Sequence, residues 1–243
     1  MSDVGHRRDR ISAEGDDYPR RLVDNAGPTA PPVVAVVVTR DPGAWFDEVL
    51  DGLAAQDYPN LRVLVLDTGS VAGFVERVGA RLPEAFIRRA AAHPTYGGAA
   101  NEALKLVEGA GFFCFLHEDV ALEPSAIRLL VEETYRSNGG VVGPKIVEWD
   151  DPARLLSAGV GSDKFGEPAP AVDPGELDQE QHDGVRDTFS LSTACLLVRT
   201  DLFRAVGGFD AEVAGHGAEL ELCWRVHASG ARVLVVPAAR ARW

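Results

Sequence analysis

The stretch Phe112–Pro124, "FFCFLHEDVALEP", joins an apolar run directly to three polar residues. Its first five residues are apolar and do not alternate with polar ones, which is typical of a strand buried on both faces of a parallel sheet. The run ends on His117, Glu118 and Asp119. Two interpretations are open for this triplet: a site for a metal and a diphosphate, or a polar strand end that meets solvent.

Two earlier segments have the same character as the opening stretch. They are "VVAVVVT" at Val33–Thr39 and "LRVLVLDTGS" at residues 61–70, and helix-like patterns of apolar residues separate the strands. Strands that alternate with helices predict an α/β fold with a mostly parallel, Rossmann-like sheet flanked by helices. The pattern after residue 139 is less regular and indicates a mixed C-terminal part.

The ends of the three predicted strands carry polar groups. They are Thr39-Arg40-Asp41, Asp67-Thr68-Gly69-Ser70 and His117-Glu118-Asp119. Because ligands of open α/β sheets bind at the carboxyl ends of parallel strands, we expect one sheet edge to gather all three groups.

The chain divides into a leader and one domain. Residues 1–31 are polar, carry mixed charges and predict a flexible leader. Residues 32–243 predict a single domain, with a nucleotide-sugar-binding half at 32–123 and an acceptor-side half at 124–243. Residues 150–187 are rich in Pro, Gly, Asp and Glu and predict a long surface loop.

Composition limits the function classes. The net charge of −13 disfavours nucleic acid as a partner and calls for a cation wherever an anionic ligand binds. No apolar run reaches the roughly 18 residues of a membrane span, so we expect membrane association only through segments beyond residue 243. Three cysteines in apolar contexts indicate buried thiols rather than a zinc site.

The expected location is cytoplasmic, as a free protein or as the cytosolic domain of a larger membrane protein.

Several residues have both a functional and a structural interpretation. Gly97 and Gly98 open a helix and could face an anion, or simply form a turn. Asp67 could bind a base or ribose, or cap a turn. His117 and Asp119 point to the same side of an extended chain and could share one ion, with Glu118 in support. No GxGxxG follows the first strand and no P-loop motif occurs, which argues against dehydrogenases and P-loop enzymes.

The segment "AGHGAELELCWR" places two glutamates at the start of a predicted helix. Glu221 can pair with Arg225 four residues later, which is a structural role. Glu219 lies nearer the glycine-rich loop and could act as a general base. The predicted apolar face of this helix comprises Leu220, Cys223, Trp224 and His227.

The motifs follow one another as "VLVLDTGS", "GGAANEAL", "FLHEDVALEP", "VGPKI", "STACLLVRTDLFRAVGGFD" and "ELELCWRVHASGARVLVVP". Over about residues 33 to 243 they resemble an inverting family 2 glycosyltransferase with the GT-A fold, of the type found as the N-terminal domain of large actinobacterial glycosyltransferases. The resemblance implies a nucleotide-diphosphate-sugar donor, a UDP- or dTDP-sugar, and a hydroxyl acceptor on a glycan or a lipid-linked sugar. It also implies a divalent cation, Mn²⁺ or Mg²⁺, and a role in cell-wall polysaccharide synthesis.

The resemblance assigns roles to individual residues. Glu219 matches the catalytic base, and His117 and Asp119 stand at the metal-binding DxD position. The implied donor-binding residues are Thr39, Asp41, Asp67, Gly97, Gly98, Asn101 and Glu118. The implied acceptor-side residues are Asp210, Glu221 and Trp224.

Three departures from the family pattern affect this assignment. His117 replaces the first Asp of DxD, and Glu219 and Glu221 replace aspartates. Trp243 stands where many members have a histidine that helps hold the metal or diphosphate, and indole cannot ligate a metal. We therefore expect weak cation binding, and an alternative function remains open: a catalytically impaired module that binds nucleotide or glycan or serves in interactions. A sugar-1-phosphate nucleotidyltransferase is disfavoured, because "TRDPGAW" lacks the basic, glycine-rich signature after the first strand.

Overall fold

The computed structural model describes residues 30–90, 93, 95–165, 167–192, 194–213 and 217–243. Residues 1–29 of the predicted leader lie outside this part of the chain. The proposed domain limits and the two halves stay predictions. No helix in the described part has the length and apolar character needed to span a membrane.

The strands form one large sheet and one small hairpin. In chain order the strands are β1 Val33–Thr39, β2 Leu61–Asp67, β3 Phe86–Arg89, β4 Phe112–His117, β5 Ala121–Leu122, β6 Gly139–Val147, β7 Leu155–Ser157, β8 Val160–Ser162, β9 Pro168–Pro170, β10 Arg186–Asp187, β11 Cys195–Arg199 and β12 Arg232–Arg242.

Seven helices connect these strands in the described part. They are α1 Phe46–Ala54, α2 Phe74–Arg81, α3 Tyr96–Ala100, α4 Glu102–Leu106, α5 Ala126–Ser137, α6 Thr200–Ala205 and α7 Ala218–Ala228. The β-branched runs of β1 and β2 favour extended backbone, while the intervening segments carry apolar residues at helical spacing.

The large sheet has the strand order β10-β12-β6-β11-β4-β1-β2-β3. Strands β3, β2, β1 and β4 are parallel neighbours, whereas β11 runs antiparallel between β4 and β6. Strands β6 and β12 are parallel to each other, so their ends return to the same edge as the ends of β1 and β4. The predicted mixed C-terminal part is therefore confirmed.

Apolar side chains fill both faces of the sheet. On one face, Val33 and Val37 of β1 belong to a cluster with residues of α1, α2 and α5. On the other face, Val34 and Val36 pack with residues of α4, α6 and α7. This two-sided burial explains why β1 lacks polar alternation.

The structure corrects three expectations about local structure. The predicted helix after Gly97 is divided into the short helices α3 and α4, with Asn101 between them. The segment 150–187 is not a plain loop, because it contains β7, β8, β9 and β10. Its anchor is the buried Lys145, whose Nζ lies 2.8 Å from Asp178 Oδ2 and 2.6 Å from Asp183 Oδ1.

The predicted apolar face of α7 is largely wrong, because only Cys223 of its four residues is buried. Trp224 is 62% exposed, whereas the buried residues of this helix are Ala218, Leu222, Cys223 and Val226. The Trp224 ring packs edge-to-face on Phe189, at a centroid distance of 6.1 Å. An exposed tryptophan on a helix is available to a ligand in a way that a core residue is not.

Candidate functional site

The carboxyl ends of β1, β2 and β4 lie side by side, as the sequence predicts. Thr39 pairs with Asp67 across β1 and β2, and Val38 pairs with His117 across β1 and β4. A pocket of about 330 Å³ opens at this edge. Its lining includes Thr39, Thr68, Tyr96, His117, Glu118 and Asp119.

The end of β1 is tied to the loop after β2. The backbone N–H of Asp41 donates to Ser70 Oγ at 2.9 Å, and the N–H of Val71 donates to Asp41 Oδ1 at 2.8 Å. One carboxylate oxygen of the exposed Asp41 is therefore used to hold the loop after β2. Thr39 differs, because its Oγ1 is buried and has no hydrogen-bond partner among the described residues.

Asp67 is a buried carboxylate held by backbone donors. The N–H groups of Gly69 and Ser70 donate to its Oδ1 at 3.0 Å and 2.7 Å, and Arg89 Nη1 lies 3.7 Å from its Oδ2. Burial acts to raise the pKa of Asp67, but the hydrogen bonds from Ser70 and Gly69 outweigh it and keep the pKa below its ordinary value. Asp67 therefore caps the turn, as anticipated from "DTGS". The capping bonds use Oδ1, so Oδ2 can accept a hydrogen bond from a ligand.

The three polar residues at the end of β4, His117, Glu118 and Asp119, make different contacts. Glu118 accepts a hydrogen bond of 2.8 Å from the backbone N–H of Arg40, so it supports the end of β1. Asp119 Oδ1 is buried without a partner in the described part of the chain. The His117 ring lies between Tyr96, at a centroid distance of 4.7 Å, and Trp243, at 6.1 Å.

These side chains form a partial set of cation ligands. Among the described residues, no group of three His, Cys, Asp or Glu side chains could hold a metal by itself. Asp119, with its unpartnered buried oxygen, and the neighbouring His117 fit a different arrangement. Mg²⁺ bound together with a nucleotide often takes only one or two carboxylates from the protein, while substrate phosphates supply the rest.

Trp243 lies beside His117, one of the two residues predicted to hold a metal. Its backbone N–H donates to Val147 O at 3.0 Å, which extends the pairing of β12 with β6. The rings of Trp243 and His117 meet edge-to-face, at an interplanar angle of 89°. Tryptophan here contributes packing to the histidine rather than a ligand atom.

The glycine pair of α3 packs against the segment after α6 instead of facing open space. A Cβ on Gly97 would lie 2.8 Å from Phe209 Cβ, and one on Gly98 would lie 3.0 Å from Thr95 Oγ1. Asn101 fixes the same contact with two hydrogen bonds to the Phe209 backbone, of 2.8 Å and 2.9 Å. These three residues position the pocket wall, and their direct contact with a donor stays a prediction.

The acceptor-side residues lie along α7 and the segment before it. Glu219 is in the first turn of α7, and its Oε2 accepts a hydrogen bond of 3.2 Å from the N–H of Gly217. Glu221 pairs with Arg225 on the same helix, as predicted from their spacing. Asp210 is exposed, and its Oδ1 accepts from the Glu212 N–H at 2.8 Å. The roles assigned to these residues stay predictions.

Sequence reasoning missed Tyr96, which lines the pocket and has a buried hydroxyl oxygen. It also missed the contribution of His93 to the same wall. The available signal was the position of Tyr96 directly before Gly97 and Gly98. An aromatic residue at the start of a helix is equally compatible with a purely apolar role, so spacing alone could not identify it.

Comparison with known proteins identifies the family. The model of a family described as "Glycosyltransferase like family 2" matches residues 31–243. The chain belongs to this glycosyltransferase family. Residues 1–30 lie before the match, and the match covers the whole sheet and the pocket.

Three curated relatives are similar in sequence. O-antigen biosynthesis protein RfbC of Myxococcus xanthus is 28% identical over 221 residues, which covers 86% of this chain and 17% of the relative. The N-acetylglucosaminyl-diphospho-decaprenol L-rhamnosyltransferase of Mycobacterium tuberculosis is 27% identical, covering 86% of this chain and 74% of the relative. The pre-mycofactocin glycosyltransferase of the same organism is 28% identical, covering 96% and 48%. The chain thus spans less than half of two of these relatives.

Solved structures agree on the fold. S. aureus TarS, residues 1–349, matches with a TM-score of 0.63 and 19% identity over 87% of this chain and 60% of that one. GalNAc-T7, solved with UDP, GalNAc and Mn²⁺, matches with a TM-score of 0.70 and 11% identity over 92% and 46%. The α/β architecture of the chain is therefore the GT-A fold of nucleotide-sugar transferases.

Proposed function

We propose that this glycosyltransferase transfers a sugar with inversion, from a nucleotide-diphosphate-sugar to a hydroxyl of a glycan or lipid-linked acceptor. One observation carries the proposal. Thr39 Oγ1, Tyr96 Oη and Asp119 Oδ1 are buried without hydrogen-bond partners in the described chain, and all three residues line one pocket. Each such atom costs about 1–3 kcal/mol if it stays unpaired. A pocket that gathers three of them fits a highly polar ligand.

The donor side of the pocket suits a UDP- or dTDP-sugar. Thr39 and Asp41 end β1 and Asp67 ends β2, where an open α/β sheet places its nucleotide. Asp67 Oδ2, which lies 3.7 Å from Arg89 Nη1, offers an acceptor for a base N–H. Gly97 and Asn101 shape the pocket wall through Phe209, and Glu118 fixes the end of β1.

The diphosphate end of the pocket requires positive charge. The protein carries a net charge of −13, so it repels a diphosphate unless a cation is bound. Asp119 and His117 are the residues that would hold Mn²⁺ or Mg²⁺, which supplies Lewis-acid stabilisation of the leaving diphosphate. The presence of UDP and Mn²⁺ in the structure of GalNAc-T7 supports this assignment.

The transfer itself needs one base. Inversion follows from a direct displacement at the anomeric carbon, in which the acceptor hydroxyl attacks and loses its proton. Glu219 would take this proton, since it lies in the first turn of α7, directly after the glycine N-cap Gly217 and Ala218. Glu221 forms an ion pair with Arg225 on the same helix, which is a structural contact.

The acceptor would approach along the segment of Asp210 and the exposed face of α7. Trp224 offers an aromatic surface there, which suits the apolar face of a sugar ring. The name of the mycobacterial rhamnosyltransferase gives a decaprenol-linked acceptor, and this supports a lipid-linked or glycan acceptor.

The test combines a donor screen with paired variants. UDP-, GDP- and dTDP-sugars are assayed for transfer or donor hydrolysis, with and without Mn²⁺ or Mg²⁺. Glu219→Gln should reduce transfer by about 10²- to 10⁴-fold, the usual contribution of a general base. The matched control is Glu132→Gln on α5, a helix that contributes no residue to the described pocket lining. It should keep activity and lose only the small stabilisation of its helix-surface ion pair with Arg128, about 0.3–0.5 kcal/mol.

The outcomes separate the two functions that the sequence leaves open. Full activity of Glu219→Gln contradicts the base assignment. Nucleotide binding that is independent of cations, with no turnover for any donor, favours a non-catalytic binding module. The observation behind this second function is the position of Trp243 against His117, where the family pattern has a ligand histidine.

A further inference from the structure

Tyr96 lies at the junction of the two halves of the pocket. Its ring contacts His117 on one side, at a centroid distance of 4.7 Å, and Phe209 on the other, at 5.9 Å in an edge-to-face arrangement. His117 belongs to the proposed diphosphate end, and Phe209 begins the acceptor-side segment. In a nucleotide-diphosphate-sugar, the group that follows the diphosphate is the sugar to be transferred.

The hydroxyl of Tyr96 is buried and has no hydrogen-bond partner in the described chain. Its ring packs with the apolar cluster of α4, α6 and α7, so the hydroxyl is the polar end of an otherwise apolar side chain. A phenol hydroxyl is a hydrogen-bond donor as well as an acceptor, so Tyr96 can donate to a ligand oxygen.

We infer that Tyr96 donates a hydrogen bond to an oxygen of the transferred sugar and thereby helps to select that sugar. The inference rests on the proposed function and goes beyond it, because it names a residue that discriminates between sugars. The nucleotide is assigned to the ends of β1 and β2, and the diphosphate to Asp119 and His117. The position between His117 and Phe209 leaves the sugar as the partner of this hydroxyl.

An unpaired buried hydroxyl allows Tyr96 to discriminate between sugars that have or lack one oxygen. A buried donor that lacks a partner in the free protein gains a full hydrogen bond when the right oxygen arrives. The same donor stays unpaired with a sugar that lacks this oxygen. Sites built in this way reject the deficient analogue far more strongly than an apolar pocket rejects a small change in size.

The experiment compares Tyr96→Phe with the wild-type chain. Affinity is measured by calorimetry for the nucleotide-sugar that the donor screen identifies, and for the matching nucleoside diphosphate alone. Tyr96→Phe should weaken nucleotide-sugar binding by about 10-fold or more, in line with loss of a buried hydrogen bond. Binding of UDP or dTDP alone should be unchanged. Tyr135→Phe is the control, since this tyrosine is 65% exposed on α5.

A second readout identifies the oxygen. Deoxy analogues of the donor sugar are compared in both proteins, and one analogue should lose affinity for the wild type but not for Tyr96→Phe. The thermal stability of Tyr96→Phe should equal or exceed that of the wild type, because only an unpartnered hydroxyl is removed.

The inference is overturned if the variant binds nucleotide-sugar as the wild type does. It is also overturned if the variant loses nucleoside diphosphate equally, or loses transfer without losing donor affinity. A wild-type chain that binds no nucleotide-sugar refutes the proposed function itself, and the role of Tyr96 with it.

Discussion

Gly208 connects the segment after α6 to the pocket wall, and Gly208→Ala should destabilise the protein strongly. Its φ is +77°, a region that costs an L-residue about 1–2 kcal/mol. A Cβ at this position would lie 2.5 Å from Asn101 Oδ1. Asn101 would have to move and give up its two hydrogen bonds to the Phe209 backbone, each contributing about 0.5–1.5 kcal/mol. The expected loss is about 2–5 kcal/mol.

The adjacent Gly207 provides a matched control. Its φ is +88°, but a Cβ there would meet nothing within 4 Å. Gly207→Ala should therefore cost only the backbone strain, about 1–2 kcal/mol. The difference between the two variants isolates the contact of Asn101 with Phe209.

The free energy of unfolding is measured by urea denaturation for both single variants and for each combined with Asn101→Ala. In the Asn101→Ala background, the cost of Gly208→Ala should fall towards that of Gly207→Ala, because Asn101 Oδ1 is gone and only Leu104 Cδ1, at 3.1 Å, stays close to the added Cβ. Equal costs of the two glycine substitutions in the wild-type background would refute the reasoning. An unchanged difference in the Asn101→Ala background would do the same.

Two further perturbations probe buried charge. The lowered pKa of Asp67 means that its charged form stabilises the fold above about pH 4 and that this stabilisation disappears as pH falls through the folded-state pKa. Asp67→Asn should therefore cost about 1–2 kcal/mol at pH 7 and progressively less as the pH falls through the folded-state pKa, and a pH-independent difference in the free energy of unfolding would contradict this. Lys145→Met removes the cation between Asp178 and Asp183 and should cost about 3 kcal/mol, since Arg240, 3.3 Å from Asp178, compensates only in part. A loss below about 1 kcal/mol in urea denaturation would show that the anchor of residues 150–187 lies elsewhere.

The sheet and the location of its functional edge follow from local sequence. The unbroken apolar runs of β1, β2 and β4 require burial on both sides, and the only common solution is a parallel sheet covered by helices. Because parallel strands end at one edge, Thr39, Asp67 and His117 had to come together there. The pairing of Glu221 with Arg225 was equally predictable, since it depends on a spacing within one helix.

Other features depend on contacts between distant segments. Whether Trp224 lies inside or outside cannot be read from helical spacing, because the direction of the core relative to α7 is set by the strands it packs on. The order of segment 150–187 arises from the ion pairs of Lys145, which is separated from Asp183 by 38 residues.

The sequence by itself determined the fold class, the edge that carries the site and, through its motifs, the glycosyltransferase family. The tertiary structure decided which polar groups of that site remain available. Asp67 Oδ1 and Glu118 are engaged by backbone donors, whereas Asp119 Oδ1 and the Tyr96 hydroxyl are buried without partners among the residues that the structure describes. The reason is physical: hydrogen-bond satisfaction depends on which segments meet in space, and no pattern within a single strand or helix encodes that.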